Sequence, residues 1–127
     1  MIGRFAHVLV PVSFSEQTQA LLDVAREMSV QSRARVTLLH VIEQIEHIAD
    51  EEVDDFYAQL ESQSRIRLES MAQRFAEAGL DVDWKIRYGK RVGEIVQDCI
   101  ERNVDLVVMR SQPFDPNRPA EGWISLS

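Results

Sequence analysis

The chain has 127 residues, 45% of them hydrophobic and 28% charged, and its 14 basic and 21 acidic side chains leave a net charge of -7. That length fits one domain over residues 1–127, and the apolar share is enough for a core. The acidic balance argues against a protein that holds nucleic acid by neutralising phosphates, and against one that sits on an anionic membrane through a basic face.

The opening MIGRFAHVLVPV places one arginine before an apolar run. The run is short, contains His7 and Pro11, and lacks a small-residue cleavage site, so it reads as a first strand rather than a signal peptide. No stretch approaches the roughly 18–20 apolar residues of a membrane span. Cys99 is the single cysteine, which excludes an internal disulfide and fits a reducing, cytoplasmic setting.

Phe5 to Val12 is nearly continuous in apolar residues, the pattern of a strand buried on both faces. Ser13 and Glu16 follow at capping-box spacing, where each side chain accepts an amide hydrogen from the other residue. The helix after them carries Ala20, Leu21, Val24, Ala25 and Met28 on one stripe and should end near Ser32. Arg35 to Glu43 reads as a second strand.

Glu43, Glu46, Asp50, Glu51, Glu52, Asp54 and Asp55 form an acidic stretch without ligand-type spacing. It reads as a loop and first helical turn whose carboxylates complement the helix dipole. The long helix it opens places Val53, Phe56, Tyr57, Leu60, Ser64, Leu68, Met71 and Phe75 on a stripe for packing on a sheet. Gly79 is placed to end it in a left-handed cap. Asp81 to Tyr88 alternates strictly, as a half-exposed edge strand does. A turn at Gly89 leads to a short helix carrying Val92, Ile95, Val96, Cys99 and Ile100, with Cys99 packed as a small hydrophobe. Val104 to Met109 is the next buried strand.

Strands alternating with helices imply a parallel sheet covered on both faces. Ligands of such sheets bind beyond the carboxyl ends of the strands, where the strand order reverses. Here those ends are Pro11-Val12-Ser13, His40-Val41-Ile42, Tyr88-Gly89 and Met109-Arg110-Ser111.

The blocks HVLVPVSFSE, VTLLHVIE and YGKRVGEIVQDCIERNVDLVVM resemble the universal stress protein family in order, spacing and character over essentially the whole chain. The resemblance implies a Rossmann-like α/β fold of the adenine nucleotide alpha hydrolase-like type, with strand order 3-2-1-4-5. It also implies a cytoplasmic, usually homodimeric, stress-response protein. One branch of the family binds ATP and resembles G-x-x-G-x9-G-[ST] after the fourth strand, with an acidic residue in the first block. The other branch does not bind ATP.

This sequence departs from the ATP pattern. Ser13 stands at the acidic position, Arg110 at the first glycine, Pro113 at the second and Ile124 at the third; only Ser125 keeps its type. Glycine lets backbone amides approach a phosphate, whereas proline has no amide and isoleucine resists the conformations glycine permits. Asp115 and Glu121 would repel a triphosphate further. The expectation is therefore no cofactor, with ATP or another nucleotide as the alternative. A rebuilt pocket for an anion or a different nucleotide would be lined by Val12, Ser13, Val41, Met109, Arg110 and Ser125, with Arg118 near it. Against that stands Arg110 as a solvated loop residue or a partner of Asp115.

The family's further helix and fifth strand have no counterpart before Ser127, which implies a continuation of roughly 15–25 residues, about a short helix and a strand. Without it the fourth strand would carry an open apolar edge. His7, His40 and His47 lack metal-ligand spacing, and no phosphate-loop motif occurs. Cys99 has no evident catalytic partner. The leading expectation is a non-enzymatic dimer acting through protein contacts, with neither nucleic acid nor membrane as partner. A nucleotide- or anion-binding sensor is the first alternative, and a regulatory domain of a transporter or kinase is the second.

Overall fold

A computed structural model describes residues 5–43 and 51–110, with the side chains of 51–53 left out of that description. Its elements run β1 (His7–Pro11), α1 (Thr18–Ser32), β2 (Arg35–Ile42), α2 (Glu51–Glu77), β3 (Val82–Tyr88), α3 (Arg91–Arg102) and β4 (Leu106–Val107). The strands form one parallel sheet in the order β3-β2-β1-β4. The two central strands are the ones with near-continuous apolar runs, and all five residues of β1 are buried.

Successive strand residues face opposite sides, so each run feeds two cores. Val8, Val10, Val12, Val36 and Leu38 meet Leu22, Ala25, Leu68 and Phe75 from α1 and α2. Leu9 and Leu39 meet Ile95 from α3, with Val41, Cys99, Val107 and Met109 packed around them.

The helix boundaries have local causes. The expected Ser13/Glu16 box does not form. Thr18 starts α1, Gln17 caps it without a side-chain bond, and the Thr18 hydroxyl donates to the Ser13 carbonyl at 2.5 Å. Ser13 and Glu16 both precede the helix, so neither stands at the N-cap or third helical position that a box requires. The buried stripe of α1 is Thr18, Leu22, Ala25 and Ser29, while Ala20 is exposed and Val24 is 52% exposed. The face that docks on the sheet is therefore centred on Leu22 and Ala25, with Leu21 partly buried at its edge. Arg33 closes α1 in the left-handed region at φ 52°, and Gly79 follows α2 at φ 83°.

With 27 residues, α2 is about 40 Å long, whereas the seven residues of β3 span only about 23 Å. The Tyr88 hydroxyl at the end of β3 donates to Glu61 at 2.7 Å. The helix before Glu61 therefore runs past the sheet, which explains why Phe56, expected to pack on it, is 59% exposed.

Two further expectations change. Lys85 and Arg87 on β3 turn toward α3 and its carboxylates rather than to open solvent. In β4 only Leu106 and Val107 join the ladder, opposite Val8 and Leu9, and they are half-buried, because among the described residues β4 pairs with β1 alone. On α3, Val92, Val96 and Ile100 are exposed, and only Ile95 of its apolar stripe is fully buried.

Candidate functional site

The carboxyl end of β1 is tied down from two sides. The Val12 amide donates to the Leu39 carbonyl at 2.8 Å, and the Val12 carbonyl accepts from His40 Nδ1 at 2.8 Å. A carbonyl only accepts, so Nδ1 carries the hydrogen. The His40 ring packs on Phe14 with centroids 4.4 Å apart. Burial pulls its pKa below the ordinary 6.5; the Val12 bond opposes that shift and the charge of Arg91 adds to it.

Of the six residues expected to line a pocket, Val41 and Met109 do come together, in the small cluster under α3. Val12 belongs to the core on the opposite face of the sheet. Ser13 is half-buried in the turn between β1 and α1, with its carbonyl accepting from Thr18. Arg110 is exposed just past β4. Ser125 lies outside the described residues, as do Ser111, Pro113, Asp115, Arg118, Glu121 and Ile124. Of the acidic stretch, Glu51, Glu52, Asp54 and Asp55 fall in α2, and Glu46 and Asp50 lie outside the described residues. His47 lies outside them too.

Two features escaped the sequence reading. The first is a charge cluster beneath α3, centred on the fully buried Asp98. Its Oδ1 takes Arg87 at 3.1 Å, Arg102 at 3.4 Å and Lys85 at 3.8 Å, while Oδ2 is buried without a hydrogen-bond partner. Arg87 also reaches Glu94 and Glu101. Arg102 continues to Asp83, which accepts from the Thr37 hydroxyl at 2.6 Å, and Thr37 meets His7 Nε2 at 2.7 Å. Burial alone would raise the pKa of Asp83, but bonds from Thr37 and Arg102 and the charges of Arg102 and Arg35 outweigh it, and the carboxyl sits below its usual range. The signal was present: Asp83, Lys85 and Arg87 alternate on β3, and Glu94, Asp98, Glu101 and Arg102 recur at helical spacing on α3. The second feature is a cleft between α1 and α2, lined among others by Phe14, Leu22, Arg67, Ser70, Met71 and Arg74.

These groups offer little for catalysis. Burial raises the Cys99 thiol's pKa and the neighbouring Asp98 raises it further, which disfavours the nucleophilic thiolate. Tyr88 is pushed up to about 12 by burial and by its bond to Glu61. Among the described residues, no group of three or more His, Cys, Asp or Glu side chains could hold a metal ion, and no helix is long and apolar enough to cross a membrane.

A family model for the universal stress protein family matches residues 4–120. The chain belongs to the universal stress protein family. Among solved structures it is similar to universal stress protein UspA from Lactobacillus plantarum, at 21% identity and TM-score 0.73, over 91% of this chain and 83% of that one. It is similar to the hypothetical protein MJ0577 at 26% identity and TM-score 0.75, over 84% and 75% of the two chains. A universal stress protein in complex with cAMP matches at 19% identity and TM-score 0.58, over 82% and 70%. A search of curated proteins finds no match. The expected α/β fold is thus the family's, with the described strands in the order 3-2-1-4.

Proposed function

We propose that this universal stress protein is a non-enzymatic stress-response protein of the branch that does not bind ATP in the usual mode. In this reading it works in the cytoplasm as a homodimer, through contacts with other proteins. The carrying observation is the replacement of the family's glycines after β4. A charged side chain, Arg110, stands at the first position, Pro113 at the second and Ile124 at the third. A backbone nest for phosphate needs free amides in the conformations glycine permits and room for close approach; Pro113 has no amide, and Arg110 and Ile124 put a side chain where glycine leaves space. Ser13 in place of the acidic residue supports the same reading.

A second reading has one observation in its favour, the cAMP complex of a structural neighbour. It would make the protein a nucleotide sensor whose modified pocket draws on Val12, Ser13, Val41, Met109, Arg110 and Ser125. The two readings separate on nucleotide content. The protein is purified natively, denatured, and its released small molecules are identified by mass spectrometry. The first reading expects no stoichiometric nucleotide; a retained cyclic or linear nucleotide would replace it with the second.

A further inference from the structure

We propose that the cleft between the start of α1 and the middle of α2 binds an amphiphilic monoanion, a single carboxylate carried on a small apolar body. The cleft has a volume of about 390 Å³ and is lined by Phe14, Ser15, Glu16, Thr18, Gln19 and Leu22 on one side. Arg67, Ser70, Met71 and Arg74 line the other. The volume lies within the range of small-molecule sites, about 300–1,000 Å³. It is separate from the strand ends: Phe14 stands between them, with His40 packed on its ring.

The ligand class follows from the lining. Arg67, Ser70, Met71 and Arg74 are spaced three and four apart, so α2 presents them on one face. Leu22, Met71 and the Phe14 ring supply apolar surface. The Arg67 guanidinium lies 5.1 Å from the centroid of that ring and, among the described residues, has no carboxylate partner. Arg74 is already committed: its Nη2 donates to Asp23 at 2.9 Å, and its Nη1 is buried without a partner. One planar fork is thus left to meet an anion, beside the Ser70 hydroxyl and an apolar wall. A guanidinium fork matches a carboxylate. Glu16 is exposed and makes no ion pair with either arginine among the described residues. Its charge limits the cleft to a single negative charge and disfavours a polyphosphate.

The test titrates hexanoate into the isotope-labelled full chain and follows the backbone amide resonances. Acetate and hexylammonium serve as controls. The expected result is saturable shifts confined to Phe14–Leu22 and Arg67–Arg74, with acetate and hexylammonium at least fivefold weaker. Arg67→Gln should weaken hexanoate at least fivefold, Arg67→Lys less, and Glu16→Gln should tighten it about twofold. Arg67 is exposed, and a native amide spectrum confirms that each variant is folded. Shifts centred on the exposed Val92, Val96 and Ile100 would overturn the proposal. So would no saturation, equal binding of hexylammonium, or unchanged affinity in a folded Arg67→Gln variant.

Discussion

His40 illustrates how a single burial sets a pH response. The folded state favours the neutral ring, because burial and Arg91 outweigh the bond to Val12. The unfolded chain takes up a proton near the ordinary 6.5, so it binds more protons than the folded chain as pH falls through that value, and stability drops with it. The melting temperature should fall between pH 7.5 and 5.5. His40→Asn keeps a donor for the Val12 carbonyl and removes the titration, so its melting temperature should be flatter over the same interval; an equal slope would refute this assignment. Asp83 and Asp105 act lower. Burial would raise both pKa values, yet side-chain and backbone donors hold both below 3.8, so their contribution is present above that value and lost as pH falls through the lower folded values. Asp98 carries a larger stake. Asp98→Ala would leave Arg87, whose side chain is only 13% exposed, without its central buried partner. Breaking such a buried pair costs about 3–5 kcal/mol. Denaturant unfolding should show a loss of that order, and a loss under about 1 kcal/mol would mean that the cluster is already solvated.

Among the elements, the termini of the helices departed furthest from expectation. The spacing of Ser13 and Glu16 suggested a cap, but a spacing motif cannot register that the helix begins only at Thr18, past both residues. The end of α1 at Ser32 was legible, while the left-handed residue closing it is Arg33, which has no sequence signal for that conformation. A left-handed non-glycine residue costs roughly 1–2 kcal/mol, and glycine's greater unfolded freedom gives back part of that. Arg33→Gly should therefore stabilise the chain by roughly 0.5–1 kcal/mol in equilibrium denaturation; destabilisation would show that the Arg33 side chain makes a contribution larger than the strain. The core was more readable. Leu68 and Phe75 sit on the predicted stripe of α2 and are fully buried, so Phe75→Ala should cost about 3–5 kcal/mol. Phe56 shares that stripe but lies beyond the sheet, and periodicity alone cannot tell where a helix outruns its partner.

For the molecule as a whole, strand character and order of elements were readable because two central strands must be apolar on both faces and an edge strand need not be. The sheet order β3-β2-β1-β4 came from the family resemblance and agrees with the parallel pairings. The candidate site was less legible. Its described residues come from β2 and from just beyond the ends of β1 and β4, and nothing local in the sequence states that Val12 and Val41 face opposite cores. The α3 charge cluster was hidden for a related reason: a strand alternating between charged and apolar residues looks the same whether its polar face meets water or a charged helix.

The central claim, that residues unlike the family's glycines after β4 leave ATP unbound in the usual mode, is tested most directly by calorimetric titration of ATP into the full chain, with and without magnesium. The account predicts no saturable heat up to millimolar ATP in either condition. Stoichiometric binding at micromolar affinity that is abolished by Arg110→Ala would contradict it and would establish a rebuilt phosphate site at the end of β4.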